Sequence, residues 1–278
     1  MALKTILACL MNRETADAVL RCAVPLARAH DAHLIGLHTL EALLVYPGIA
    51  MHVPDGAFAG FNENQKVEAA AIETIFRRHT VNEDFVSEWR LTKTEATSAA
   101  DRIVESAFAA DIVIMPKEEG SAVRGDQHHA QEHVIRKGGR PVIIIPPDFN
   151  GSLVGQKTVL GWSNTREAAR AAHDLLAVAQ PGSEISIVRV DGERDELTDF
   201  SIVDLATTYD RHGLHTKTLQ QNKGPNSISD LLLKVAFEQG ADLLATGAFG
   251  HSRAYDFVMG AVSYSLLRTA RMPVLFSA

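Results

Sequence analysis

The sequence predicts an α/β protein built from two tandem halves, each a five-stranded, mainly parallel sheet with helices on both faces. The first observation behind this is a long internal repeat. Lys4-Thr5-Ile6-Leu7 recurs as Lys157-Thr158-Val159-Leu160, and Arg13-Glu14-x-Ala16 as Arg166-Glu167-x-Ala169. Ala110-Asp111-Ile112-Val113 then recurs as Ala241-Asp242-Leu243-Leu244, and Arg140-Pro141-Val142-Ile143 as Met272-Pro273-Val274-Leu275. Segments matched in the same order at this separation indicate a duplicated domain rather than a short-period solenoid. Secondly, apolar runs of strand length alternate with helical patterns, the signature of parallel sheets covered on both faces. The third is a glycine-rich stretch, TGAFGHSRAYDFVMGAVSYS over residues 246–265, between a strand and a helix. Open parallel sheets place ligands there, beyond the carboxyl ends of their strands.

In chain order, residues 5–10 form a continuous apolar run suited to a buried strand. Residues 15–30 read as a helix from their alanine content and apolar spacing, and 33–39 as the next strand. Residues 63–78 are predicted helical, 84–91 a strand and 98–108 a helix. Strands at 111–115 and 142–145 close the first half, with a weaker helix near 127–137 between them. The prolines, asparagine and glycine of Pro146-Pro147-Asp148-Phe149-Asn150-Gly151-Ser152 read as a linker. This divides the chain into domains at 1–147 and 154–278, with a linker at 148–153. The second half repeats the pattern, with strands at 158–162, 184–190, 215–220, 243–246 and 274–276. Its helices are expected near 166–179, 201–212, 227–239 and 261–270.

Composition narrows the class. Hydrophobic residues make up 46% and charged residues 22% of 278, enough apolar content for two ordinary cores. A net charge of −7 argues against a broad nucleic-acid surface. No apolar run reaches membrane-spanning length. The N-terminal run MALKTILACL ends in Met-Asn-Arg-Glu rather than at a small-residue cleavage site, so it reads as a first buried strand and a cytoplasmic location is expected. Cys9 and Cys22 are not spaced as a metal or redox pair and read as small buried hydrophobes.

The glycine stretch carries the chemistry. Gly247 and Gly250 are three apart, and Gly260 follows after nine intervening residues. A missing Cβ lets backbone N–H groups approach a phosphate, and a helix N-terminus adds free amides and a positive dipole end. On this reading Gly260 opens the helix. Arg253 supplies a guanidinium fork suited to phosphate oxygens, or is a solvated loop arginine. A glycine-rich turn with no ligand is the alternative to the whole reading. No Gly-x-Ser-x-Gly, His-Glu-x-x-His or Gly-x4-Gly-Lys-Ser/Thr motif is present, which disfavours an ordinary hydrolase or P-loop ATPase.

These residues resemble the universal stress protein family in its tandem two-domain bacterial form. Gly247, Gly250 and Gly260 match that family's Gly-x2-Gly-x9-Gly nucleotide loop. Gly250-His251-Ser252-Arg253, the ending Arg271-x-Pro273-Val274-Leu275, and the run from Val159 to Arg170 are similar to the tandem members in particular. The resemblance implies Rossmann-like domains of the adenine nucleotide α-hydrolase-like fold, often dimeric through their last strands. It implies ATP or AMP as ligand in many members and none in others, and roles in stress tolerance with few defined enzyme activities. On the family pattern the nucleotide contacts are Trp162, Ser163, Asn164, Thr165, Val190, Thr246, Gly247, Gly250, His251, Ser252, Arg253, Gly260, Ala261, Val262 and Ser263. Val190 and Thr246 rest on that pattern alone. Two departures matter. Ser163 stands where the family commonly has an aspartate, so Mg²⁺ coordination is expected to be weak. Ala261 stands where a hydroxyl residue usually follows the third glycine, with Ser263 as the substitute.

The first half departs further. Laying Asp111 on Asp242 puts Pro116 at the first loop glycine and Glu119 at the second, with His128 and His129 near the third. Proline lacks an amide proton, Glu118 and Glu119 bring negative charge, and Leu10 takes the aspartate position, so this half is expected to be a degenerate structural partner. His128, His129 and His133 form the densest histidine cluster. His129 and His133, four apart, share a helix face, which leaves metal binding, solvated histidines and pH sensitivity open. Residues 43–61 form a long apolar loop, read as a flap or a contact surface. The leading expectation is a stress-response binding protein taking an adenine nucleotide in its second half, at most a slow ATP hydrolase. The alternatives are a nucleotide-independent protein recruiting a partner through the 43–61 loop, or a small-molecule or metal binder using the histidines. The two halves are expected to pair within the chain as a pseudo-dimer or to form a homodimer.

Overall fold

A computed structural model describes residues 2–40, 55–94, 98–118, 129–151, 153–191, 200–249 and 256–278, with backbone alone for 55–59, 191, 200 and 256–259. The first half runs β1 (Thr5–Cys9), α1 (Arg13–His30), β2 (His33–Leu40), α2 (Asp55–Thr80), β3 (Ser87–Lys93), α3 (Ala99–Ala107), β4 (Ile112–Pro116), α4 (Ala130–Lys137) and β5 (Val142–Ile145). The second half runs β6 (Lys157–Trp162), α5 (Arg166–Leu175), β7 (Glu184–Asp191), α6 (Phe200–Arg211), β8 (His215–Asn222), α7 (Ile228–Glu238), β9 (Leu243–Gly247), α8 (Asp256–Thr269) and β10 (Val274–Ser277).

The ten strands of the described residues join one sheet in the order β3-β2-β1-β4-β5-β10-β9-β6-β7-β8. Each half therefore has the same winding, and every pairing within a half is parallel. Among the described residues the single antiparallel pairing is the seam between halves, with Val274 opposite Ile144, Leu275 opposite Ile143 and Phe276 opposite Val142. The last strands thus pair inside the chain. The strands left at the sheet edges, β3 and β8, carry charged and polar side chains (SEWRLTK and HTKTLQQN), which discourages further strand addition.

The apolar runs that predicted strands are buried on both faces, as parallel sheets require. One face packs Ile6, Ile143, Leu160 and Leu275 under α1, α2, α5 and α6. The other packs Leu7, Val142, Val159 and Phe276 under α3, α4, α7 and α8. Each core crosses the seam without interruption. The repeated aspartates are structural: Asp111 accepts amides of Lys4 and Thr5 at 2.6 and 2.9 Å, and Asp242 those of Gly155, Gln156 and Lys157 at 2.7, 3.0 and 3.1 Å. Each carboxylate ties the entry of its half's first strand to the strand beside it. Cys9 and Cys22 are buried free thiols, and burial holds the Cys22 thiol up at about 12. Among the described residues no helix is long and apolar enough to cross a membrane.

Three element boundaries differ from expectation. The second helix starts at Asp55 rather than 63, taking in the end of the 43–61 stretch. No proline lies between Pro54 and Thr80, so nothing in the chain stops the helix extending. Helix α5 ends at Leu175, after which Leu176, Ala177 and Val178 donate to carbonyls three residues back, a tightened last turn. The last helix starts at Asp256, so Gly260 lies inside it rather than at its opening.

Candidate functional site

The carboxyl ends of β6, β7 and β9 form one rim of the sheet. Strand β6 lies between β9 and β7, so the winding of the second half reverses there. At this point a cleft of about 520 Å³, counted with its open mouth, lies between the strand ends and helices α7 and α8. Trp162, Ser163, Val190, Thr246, Gly247 and Val262 line it, all of them expected from the sequence. Gly161, Val188, Ile228 and Leu232 line it too, and were missed. Ile228 and Leu232 sit four apart on one helix face, a spacing visible in the sequence but equally that of an ordinary core helix. At Gly161 an added Cβ would stand 3.0 Å from Leu232 Cδ1, so glycine lets α7 settle onto the strand and form the cleft floor.

The cleft is apolar in its depth and polar at its rim, and none of its described lining residues is charged. Val188 and Leu232 are buried. On the rim, Ser163 Oγ lies 3.3 Å from Thr165 Oγ1. Thr165 is the N-cap of α5, its hydroxyl accepting the Ala168 amide at 3.2 Å. Asn164 is exposed, and its Oδ1 accepts from Ser201 Oγ at 2.7 Å. Ser201 also receives the Trp162 Nε1–H at 3.3 Å, so the rim is braced from α6. Thr246 Oγ1 donates to the Gly247 carbonyl at 3.1 Å.

The glycines divide by role. An added Cβ at Gly247 would stand 2.6 Å from the Glu167 carbonyl carbon and the Ala168 amide nitrogen. Glycine there lets the end of β9 rest against the first turn of α5. Among the described residues, an added Cβ at Gly260 meets nothing within 4 Å. Because α8 begins at Asp256, the amides from Gly260 to Ser263 lie beyond the free first turn of the helix, where amides have intrahelical partners. Ala261 is exposed and off the cleft, and Ser263 is buried with its Oγ accepting the Phe249 amide at 3.4 Å. Gly250, His251, Ser252 and Arg253 lie outside the described residues, as do Glu119 and His128.

In the first half the equivalent place is built differently. Pro116 pairs with Ile145 at the end of β4 as Gly247 pairs with Ser277 at the end of β9. The Pro116 carbonyl accepts Gln131 Nε2 at 2.6 Å, and the Gln131 amide in the first turn of α4 donates to Glu118 Oε1 at 3.3 Å. The chain's own carboxylate thus stands at a helix N-terminus where an anion would bind. His129 is the N-cap of α4 with a left-handed backbone (φ 59°), and His133 Nε2 lies 3.0 Å from Asp101 Oδ1. Among the described residues no group of three histidine, cysteine or acidic side chains could hold a metal ion. A second cavity of similar size, about 530 Å³, lies at the amino ends of the first-half strands. Of its charged groups, Asp111 is engaged by strand amides, Arg140 by the Phe108 carbonyl and Arg170 by the Gly139 carbonyl, while burial raises the Asp174 carboxyl above its ordinary pKa.

The winding and the rim cleft define a doubly wound α/β protein with a cleft at its topological switch point. Residues 156–277 match the model of the universal stress protein family, and the winding of that half is repeated in the first. Over nearly its whole length the chain is similar to the crystal structure of a universal stress protein from Archaeoglobus fulgidus DSM 4304. That likeness has 16% identity and a TM-score of 0.68, over 98% of this chain and 95% of that one. A candidate universal stress protein from Pseudomonas aeruginosa UCBPP-PA14 is similar at 12% identity and a TM-score of 0.59, over 99% of this chain and 93% of that one. A protein of unknown function from Pseudomonas aeruginosa PAO1 is similar at 13% identity and a TM-score of 0.56, over 99% and 92%. At these identities the likeness is one of fold. No curated protein matches the chain.

Proposed function

We propose that the second half binds an adenine nucleotide, ATP or AMP, and that the protein serves stress response as a binding protein. The observation that carries this is the cleft itself. Six residues expected at a nucleotide site, drawn from β6, β7, β9 and α8, converge on one apolar slot at the switch point. A slot with an apolar floor and hydroxyls at its rim suits a purine base and ribose. Val188, Val190, Ile228, Leu232 and Val262 would pack the base, and Ser163 and Thr246 would meet the sugar hydroxyls. The phosphates would extend toward Gly250, His251, Ser252 and Arg253 and the opening turn of α8.

The described lining offers no carboxylate, so bound Mg²⁺ would be held by phosphate oxygens more than by protein, and its contribution is small. No described side chain stands as a general base, so hydrolysis, if it accompanies binding, is slow. The first half is a structural partner in this reading, its helix start closed by Glu118. The test is the melting temperature with and without ATP, AMP and Mg²⁺. A ligand at one hundred times its Kd stabilises by about 2.7 kcal/mol. Val262→Trp, which fills the slot from an incompletely buried helix position, is expected to abolish the shift while leaving the unliganded protein folded. No shift at millimolar nucleotide would retire the reading and favour partner recruitment through residues 43–61.

A further inference from the structure

Phe249, at the entrance to the glycine loop, has a left-handed backbone with φ 51°. A bulky aromatic residue persists in that region only where its surroundings over-determine it. Here they do. The residue is 6% exposed and its ring meets Tyr264 edge-on, with centroids 5.5 Å apart and planes at 77°. Its amide donates to Ser263 Oγ. The guanidinium of Arg136 covers the ring face at 3.9 Å from the centroid. Arg136 belongs to α4, in the other half of the chain. One turn earlier on that helix, Glu132 accepts from Arg136 Nε at 2.9 Å and also from the Tyr264 hydroxyl. That bond to Glu132 holds the Tyr264 hydroxyl above its ordinary pKa.

The two residues held this way adjoin the cleft walls. Phe249 stands two residues after Gly247, and its amide is held by buried Ser263, the neighbour of Val262 on α8; Gly247 and Val262 both line the cleft. Moving Phe249 off its support would shift the end of β9 and the inner face of α8 together. The first-half helix is itself anchored by Gln131 to the Pro116 carbonyl, so it presents a fixed surface.

We propose that α4 of the first half anchors the end of β9 and helix α8 in the second, with Arg136 and Glu132 as positioning residues that hold the Phe249 turn and Tyr264 in the binding conformation. The affinity consequence rests on the adenine-nucleotide reading; the anchoring does not. It gives the degenerate half a role in the site it does not itself carry.

Two readouts on the full-length protein separate the claims. Hydrogen exchange, without ligand, is expected to accelerate at the Phe249 and Tyr264 segments in Arg136→Ala, with β6 and β7 unchanged. AMP and ATP titrations are expected to show affinity about three- to tenfold weaker in Arg136→Ala, as loss of a cation–π contact implies. Arg136→Lys restores part of the loss, and Tyr264→Phe, which keeps the ring and loses the Glu132 bond, weakens binding less. Unchanged exchange at both segments overturns the anchoring whatever the nucleotide result. Faster exchange with unchanged affinity overturns the positioning role and leaves the binding reading intact. A wild type that binds no nucleotide overturns the binding reading, and the exchange readout then decides the anchoring alone.

Discussion

Two glycines of one motif answer to different forces. Gly247 is fixed by packing, since any side chain there runs into the backbone of Glu167 and Ala168. Gly247→Ala and Gly247→Asp are therefore expected to lower the melting temperature with no ligand present. Loss of a nucleotide effect in Gly247→Asp would not by itself locate a binding site. Gly260 is under no such constraint. Gly260→Ala is expected to leave stability unchanged or raise it by about 0.5–1 kcal/mol, the ordinary glycine-to-alanine difference within a helix. Urea unfolding of the two alanine variants checks this: a Gly260→Ala protein as unstable as Gly247→Ala would contradict the assignment. The sequence made both glycines conspicuous. It could not separate them, because the backbone that crowds Gly247 comes from a helix some eighty residues earlier.

At the scale of the element, the alternation of strands and helices was legible almost throughout, because it follows from local periodicity and the repeat. The strands from Val142 and from His215 begin where their apolar or alternating patterns begin. What was not legible was where helices start and stop around glycine. The spacing of the motif suggested a helix opening at Gly260, yet the helix opens at Asp256, since an interior glycine costs too little to set a boundary. The substitute hydroxyl of Ser263 likewise looked available for phosphate, but α8 turns it into the protein, where it serves the Phe249 amide. Cleft residues on strand ends were readable from a motif, whereas Ile228 and Leu232 were hidden by looking like any core helix. The Arg136–Phe249 contact joins residues more than a hundred positions apart, and no local pattern announces it.

On the scale of the whole molecule, the duplication has become a single body. The β5–β10 seam is buried, and both cores run through it. The halves are therefore expected to unfold together. Trp89 lies in the first half and Trp162 in the second, so Trp89→Phe and Trp162→Phe each leave one half reporting. The two fluorescence transitions are expected to coincide in denaturant. Phe276→Ala at the seam is expected to lower both together by about 3–5 kcal/mol, the usual cost of emptying a large aromatic from a core. Separate transitions would mean two independent domains. The internal seam also uses the last strands that the family resemblance offered for dimerisation, leaving polar edges outside.

The central claim is a nucleotide in the slot beside β6, and Trp162 lines that slot. The measurement that tests it most directly is Trp162 fluorescence in a Trp89→Phe protein during titration with AMP and ATP. The account predicts a saturable change in intensity or wavelength, and calorimetric binding of the same nucleotides that is lost in Val262→Trp. A flat titration to millimolar nucleotide, on protein shown to be folded, would contradict it.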